Sequence, residues 1–205
     1  LTHIGHSGKV FVMKVFIAVL VLIFSFQSLT KADDIRDFEI EGMSIGDSLL
    51  DYLSEQEILN QINNNKYMYT HLTNEFGEVY MRDGLSQYLY VSFFVKQNDK
   101  NFIIYGITGT MPHSENIAEC HQQMNEIADE FSTLFNDAKK TNSNFNHRAD
   151  KTGRSKGKAI NFTLKFENKA RIVCYDFEEN LRIKNNWLDG LNIELYTKEI
   201  LDWFY

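Results

Sequence analysis

The stretch EVYMRDGLSQYLYVSFFVK, residues 78–96, decides the fold class of this chain. Two runs rich in Tyr, Phe and Val flank Asp83-Gly84, a dipeptide that tolerates the positive φ angles of a tight hairpin turn. Alternate residues of the second run point to opposite faces of a strand. The two sets are Leu89, Val91, Phe93 and Val95 on one face, and Tyr88, Tyr90, Ser92 and Phe94 on the other. The stretch therefore predicts an antiparallel hairpin with one buried face.

Further strand-like runs continue this pattern along the chain, separated by residues that favour turns. They lie at residues 66–73, 102–110, 160–166, 170–177 and 191–195. The first two extend the hairpin into an antiparallel meander, and the last three form a second section of sheet.

Short helices are expected at both ends of the chain. Ser44 and Ser54 each stand three residues before an acidic residue, which is the pattern of a capping box. They predict two short N-terminal helices. Residues 197–205 carry apolar side chains at helical spacing and predict a short terminal helix.

The clearest helix begins at Ser114. Its apolar residues recur at helical spacing and form one stripe, which comprises Ile117, Cys120, Met124, Ile127, Ala128, Phe131, Leu134 and Phe135. The stripe predicts one long amphipathic helix packed on a sheet face. Together the elements predict an α+β fold with a mostly antiparallel sheet.

The N-terminal residues have the layout of a secretory signal peptide. Lys14 precedes the uncharged run of residues 15–26, and a polar segment then ends at Ala32. The run is shorter than the roughly 20 apolar residues that a membrane-spanning helix needs. We therefore treat residues 1–12 as upstream sequence, Met13–Ala32 as a signal peptide cut after Ala32, and residues 33–205 as a single domain. These assignments predict a periplasmic or secreted protein with no membrane span after cleavage.

The charge of the chain argues against nucleic acid as a partner. It carries 28 Asp and Glu against 21 Lys and Arg, a net charge of −7. Binding to phosphate backbones requires an excess of basic side chains. The partner is instead expected to be a small molecule or a protein.

The two cysteines both follow the predicted signal peptide and would meet an oxidising compartment. Cys120 lies on the apolar helix stripe, and Cys174 lies in a predicted strand that this helix could cover. A disulfide between them would contribute about 4 kcal/mol by the chain-entropy argument. The alternative is two buried thiols that act as small apolar groups. We favour the disulfide.

Residues 141–158 are polar and locally basic, and they predict an exposed, mobile loop. The loop is a candidate for binding an anion or a partner through Arg148, Lys151, Arg154, Lys156 and Lys158. The alternative is a solvated connector. The run Gly153–Lys158 resembles a phosphate-binding loop but lacks the spacing and the hydroxyl residue of that motif.

Sequence motifs for catalysis are incomplete. Gly46-Asp47-Ser48-Leu49 spells the signature of GDSL esterases, but no histidine after residue 32 follows an aspartate by three residues, as the catalytic base of that family does. A serine nucleophile needs such a base. No histidine pairs with another ligand at a recurrent metal spacing. The sequence therefore predicts no catalytic residue, cofactor or metal.

Three segments resemble a family of uncharacterised exported proteins from AT-rich marine alphaproteobacteria. They are FEIEGMSIGDSLLDY at residues 38–52, ADKTGRS at residues 149–155 and CYD at residues 174–176. The resemblance implies a periplasmic setting and no particular activity.

These observations favour an exported, non-catalytic binding or accessory protein whose ligand the sequence does not identify. One alternative is a periplasmic hydrolase with dispersed catalytic residues, among them His113 beside Pro112. Another is an inhibitor or immunity-type protein that presents sheet aromatics to its partner, namely Tyr69, Tyr80, Tyr88 and Tyr90. A pocket with convergent polar groups would favour the enzyme, and an exposed aromatic patch would favour the inhibitor.

Overall fold

A seven-stranded antiparallel sheet is the centre of the fold in the computed structural model, which describes residues 34–65, 72–113 and 116–205. The strands are β1 (Glu39–Ile40), β2 (Met43–Ser44), β3 (Phe76–Met81), β4 (Tyr90–Lys96), β5 (Ile104–Pro112), β6 (Lys139–Asn146), β7 (Lys156–Thr163), β8 (Lys169–Asp176) and β9 (Gly190–Tyr196). The helices are α1 (Glu55–Asn65), α2 (Ile117–Leu134), α3 (Glu179–Asn185) and α4 (Lys198–Phe204). The predicted α+β class with an antiparallel sheet is confirmed. The predicted signal peptide lies outside the described residues.

The large sheet has the strand order β3-β4-β5-β9-β8-β7-β6, while β1 and β2 form a separate two-stranded ribbon. Two meanders, β3 to β5 and β6 to β9, therefore lie side by side. They meet where β5 pairs with β9, from Gly106 opposite Tyr196 to Pro112 opposite Gly190.

The core lies between the sheet and α2. Helix α2 packs on β8 and β9 with the stripe that the sequence predicts, and Cys120, Met124 and Phe131 on it are buried. In the same core, Val91, Phe93 and Val95 of β4 are buried on the predicted apolar face of that strand. Each fully buried side chain of this size contributes about 1.5–3 kcal/mol. We call this side of the sheet the helix face.

The second face of the sheet is more polar, and α4 covers part of it. Ile200 and Trp203 of α4 pack against Phe76 and Phe94. The indole Nε1 of Trp203 donates to the carbonyl of Thr73 at 2.9 Å, so the buried ring keeps its hydrogen bond.

The predicted disulfide is present. The Sγ atoms of Cys120 and Cys174 are 2.02 Å apart and the Cα atoms 6.0 Å apart, within the range that a disulfide requires. The bond fixes the N-terminal half of α2 to β8.

Of the two predicted N-terminal helices, the second is present and the first is not. The helix expected at Ser54 is α1, and the Glu57 carboxylate accepts hydrogen bonds from both the amide and the hydroxyl of Ser54. The helix expected at Ser44 is wrong. Gly46 has φ of 96°, outside the helical region, so the chain forms β2 and a short 3₁₀ turn at Leu49–Asp51 instead.

The exposed loop predicted for residues 141–158 is also wrong. These residues form most of β6, a turn, and the start of β7, and β6 pairs with β7 over eight consecutive residue pairs. Helix α3 has no counterpart among the helices that the sequence predicts.

Candidate functional site

The end of the sheet formed by β6, β7 and β8 is strongly basic. Residues 139–171 contain ten Lys and Arg but only two Asp and Glu, a local charge of +8 in a chain whose net charge is −7. Such a concentration of one sign attracts ligands of the opposite sign.

A groove of about 570 Å³ opens in this basic region, between the first turns of α2 and the strands. Its lining consists of Ile117 and His121 from α2, Asn144, Phe145 and Asn146 from β6, Lys156, Gly157 and Lys158 from β7, and Cys174 and Asp176 from β8. Amines, amides and one imidazole thus face a single space.

The strand register explains why these side chains meet. Asn144, Lys158 and Cys174 are cross-strand neighbours in one row of the sheet. The next row contains Asn146, Lys156 and Asp176. Since side chains two residues apart share a face, both rows point to the helix face. The disulfide at Cys174 holds α2 there as the opposite wall.

Among the described residues of the groove, Lys158 is a cation without an ion pair. Its side chain is partly buried and forms no ion pair with the described part of the chain. The neighbouring Lys156 is constrained, because its Nζ donates to Asn146 Oδ1 at 2.8 Å and to the carbonyl of Gly153 at 2.6 Å. A ligand with a negative charge would compensate Lys158.

Partial burial lowers the pKa of His121, and the positive charge of Lys158 lowers it further, while Asp176 opposes both effects. The lowered pKa favours the neutral imidazole at pH 7. The neutral ring offers one hydrogen-bond donor and one acceptor to the groove rather than a charge.

The turn between β6 and β7 is held by Asp150. Its carboxylate accepts hydrogen bonds from the amide and hydroxyl of Thr152, at 2.8 and 2.6 Å, and from the amide of Ser155, at 2.6 Å. These bonds, with that from the Thr152 hydroxyl foremost, hold the pKa of Asp150 well below its usual range. These bonds order the turn between β6 and β7, whose polar, glycine-containing sequence alone predicts a mobile loop.

The structure separates the five basic residues that the sequence grouped. Arg148 and Lys151 are exposed on the turn, and Arg154 pairs with Glu178 at 3.2 Å. Only Lys156 and Lys158 line the groove.

His121, Asn144 and Asp176 are site residues that the sequence does not indicate. They lie on three different elements, so no spacing along the chain indicates that they meet.

The described residues of the groove include no free hydroxyl or thiol nucleophile. None of them carries a hydroxyl group, and the sulfur of Cys174 is in the disulfide. His113, the histidine of the hydrolase alternative, lies outside the lining, and its Nε2 is 2.7 Å from Gln123 Oε1. Ser48 of the GDSL sequence accepts a hydrogen bond from the amide of Leu50 and donates one to the carbonyl of Asn101. Within the described ranges, no group of three or more His, Cys, Asp or Glu is placed to hold a metal ion.

The tyrosines of the inhibitor alternative do not form one exposed patch. Tyr80 and Tyr90 contact each other on the second face, with ring centroids 5.8 Å apart, and both are partly buried. Tyr88 instead packs over Gly109 against the core of the helix face, contrary to the predicted alternation. Tyr69 lies outside the described residues.

Comparison of the chain with protein families, with characterised proteins and with solved structures gave no match. No helix within the described ranges is long and apolar enough to cross a membrane. The chemistry of the groove is therefore the basis for a functional assignment.

Proposed function

We propose that this is an exported, non-catalytic binding protein whose groove binds a carboxylate group of its ligand. The observation that carries the proposal is Lys158, whose side chain is partly buried and whose ammonium has no ion pair among the described residues, beside Lys156 and the imidazole of His121. Hydrogen bonds between charged partners contribute about 1.5–3 kcal/mol each. A carboxylate in the groove can accept such bonds from the ammonium and further bonds from the amides of Asn144 and Asn146.

The environment of the groove supports a negatively charged ligand over a neutral one. The surrounding residues 139–171 carry the local charge of +8, and among the described residues of the lining Asp176 is the only acidic one, and it is exposed. Electrostatic attraction over this surface speeds the approach of an anion and weakens as salt concentration rises.

Export is supported by the predicted signal peptide, by the resemblance to exported proteins and by the disulfide. Disulfides persist in the periplasm and outside the cell and are rare in the cytosol. N-terminal sequencing of the secreted protein should begin at Asp33. Recovery of the uncut chain from Met13 in the membrane fraction would contradict export of a cleaved protein.

The groove is tested with citrate, a small polycarboxylate that has no peptide backbone. We expect citrate to shift the ring resonances of His121 in NMR spectra and to raise its pKa, because the anion offsets the charge of Lys158. Replacing Lys158 by Gln should weaken binding about tenfold, equal to about 1.4 kcal/mol. Lys151→Gln is the matched control, since Lys151 is exposed outside the groove. Equal citrate binding by the two variants would show that the groove is not the carboxylate site.

A further inference from the structure

The two edges of the large sheet differ in how their backbone groups are satisfied. At the β3 edge, the amide of Gln97 donates to the carbonyl of Glu75 at 3.0 Å. This bond identifies Glu75 as a residue whose backbone groups face β4. In an antiparallel ladder, facing and outward residues alternate. Phe76, Glu78 and Tyr80 therefore point their N–H and C=O groups outward.

Side chains cap this edge. The amide of Gln61 binds both backbone groups of Tyr80, with its Oε1 2.8 Å from the nitrogen and its Nε2 2.9 Å from the oxygen. Asn65 donates to the carbonyl of Glu78 at 3.1 Å, and Gln97 donates to that of Phe76 at 2.7 Å. A further strand cannot pair with β3 without displacing these amides.

The β6 edge is open. The amide of His147 donates to the carbonyl of Ser155 at 2.9 Å, so the same alternation applies here. The outward residues are Lys140, Asn142, Asn144 and Asn146. Each is exposed, and no side chain of the described residues bonds to their outward N–H or C=O groups.

The usual protections of an edge strand are weak in β6. Proteins commonly guard such edges with proline, a bulge or outward lysines. The register of β6 runs without interruption from Lys139 to Asn146, and the strand contains no proline. The Nζ of Lys140 is directed towards α2, where it donates to Ser132 Oγ at 3.0 Å. Residues 141–146 carry no charge at all.

We infer that β6 accepts an extended, acidic segment of a partner protein, which pairs with it as an eighth strand. The inference rests on the proposed function, because it identifies the ligand whose carboxylate enters the groove. Main-chain hydrogen bonds to an open edge supply affinity in such complexes, and pockets beside the edge select alternate side chains. The groove borders β6 at Asn144 and Asn146, so an acidic side chain on the helix face of the added strand reaches Lys158.

The charge of the region selects this occupant over a second copy of the chain. Antiparallel pairing of two β6 strands would bring together two copies of a segment with an excess of Lys and Arg, an excess that remains after Arg154 and Arg171 are paired with Glu178 and Glu194. Like charges at such short distances oppose association. An acidic segment replaces that repulsion by attraction.

The test uses an eight-residue peptide, acetylated and amidated, in which Glu and Val alternate. We expect it to slow hydrogen exchange at the amides of Lys140, Asn142 and Asn144. Replacing its Glu residues by Lys, or methylating its alternate backbone nitrogens that face β6, should weaken binding at least tenfold. The methylated peptides leave the protein untouched, so their effect does not depend on the folding of a variant.

Two variants of Asn142 distinguish the contribution of its backbone N–H to peptide binding from that of its side chain. Asn142→Pro removes one outward N–H and spares the inward ladder, and proline is tolerated on edge strands. We expect it to weaken peptide binding at least tenfold. Asn142→Thr keeps the N–H and should bind within twofold of the parent protein. Thermal unfolding of both variants checks that the fold is retained, and equal binding by parent and Asn142→Pro would contradict strand addition.

The outcomes distinguish the two proposals. Citrate binding in the groove without protection of β6 by the peptide would overturn strand addition and leave the groove assignment standing. Strand pairing that Lys158→Gln does not weaken would overturn the groove assignment alone. A dimer seen by analytical ultracentrifugation without peptide, and dissociated by Asn142→Pro, would show that the occupant is a second copy and would overturn the acidic partner.

Discussion

The guanidinium of Arg171 lies 3.0 Å from the carboxylate of Glu194, across β8 and β9 on the second face of the sheet. Tyr175 donates to the same carboxylate at 3.3 Å, and the ring of Phe145 lies 5.0 Å from the guanidinium carbon. Burial lowers the pKa of Arg171, but the charge of Glu194 more than reverses this, so the pKa of Arg171 is raised. Because both side chains are largely buried, each charge is stabilised mainly by the other rather than by water.

Replacing Glu194 by Ala should lower the free energy of unfolding by about 3–5 kcal/mol, because it leaves a largely buried guanidinium without a partner. The double variant Arg171→Met, Glu194→Ala should lose less than the sum of the two single changes. Urea denaturation measures all three values. Glu179→Ala, which breaks the more exposed pair with Arg182, is the control and should change stability little. Additive losses in the double variant would show that the two charges do not interact.

Replacing both Cys120 and Cys174 by Ala should lower the free energy of unfolding by about 4 kcal/mol, because the unfolded chain regains the freedom of a long loop. Denaturation of both proteins without reductant measures this difference. The variant should also bind citrate more weakly, since the bond holds α2 as a wall of the groove. Parent protein treated with reductant provides a second comparison. Equal stability of the oxidised and reduced parent would show that the bond adds nothing to the fold.

Asp150→Asn should destabilise the protein at pH 7, because the amide cannot replace a carboxylate that accepts three hydrogen bonds. The folded-state pKa of Asp150 is depressed, so its stabilisation is present above the unfolded value of about 3.9 and is lost as pH falls towards the folded value. The stability difference between parent and variant should therefore shrink below about pH 4. Denaturation at several pH values measures it, and a difference that stays constant down to pH 2 would contradict this role of the carboxylate.

Hydrogen exchange along β6 should alternate in rate in the absence of any ligand. The amides of Thr141, Ser143 and Phe145 face β7 and should be protected, whereas those of Asn142 and Asn144 face solvent and should exchange quickly. NMR at residue resolution makes the comparison. Uniformly fast exchange over residues 141–158 would instead support the mobile loop that the sequence predicts.

The elements that the sequence predicts correctly all bury one face. The stripe of α2 and the alternation of Val91, Phe93 and Val95 in β4 are visible because water is excluded from one side of each. The disulfide follows from the same pattern, since Cys120 lies on the stripe and Cys174 lies in a buried strand.

Strand β6 cannot be predicted from the sequence because it buries neither of its faces. Seven of its eight residues, KKTNSNFN, are exposed and only one residue is β-branched, so neither alternation nor composition indicates a strand. Pairing with β7 and the Asp150 turn order it instead. The first predicted helix fails differently. Ile45 and Leu49 are spaced as in a helix and are buried, but Gly46 between them adopts a positive φ.

The groove could not be predicted from the sequence because it combines an element that the sequence predicts with one that it does not. His121 comes from α2, which the apolar stripe predicts, while Asn144 comes from β6, which the sequence predicts to be a loop. Only the strand register brings Lys158 beside them.

The junction of β5 and β9 gives the chain a natural place to be divided. Gly106 and Tyr196 pair across it although 90 positions separate them, whereas every other strand pairing in the sheet joins neighbours along the chain. Cutting the backbone between His113 and Asn116 would leave each meander whole, with the disulfide entirely inside the second piece. The two pieces, expressed separately, should then reassemble through the pairing of β5 with β9 and the packing of α4 on Phe76 and Phe94, as the halves of a split reporter do.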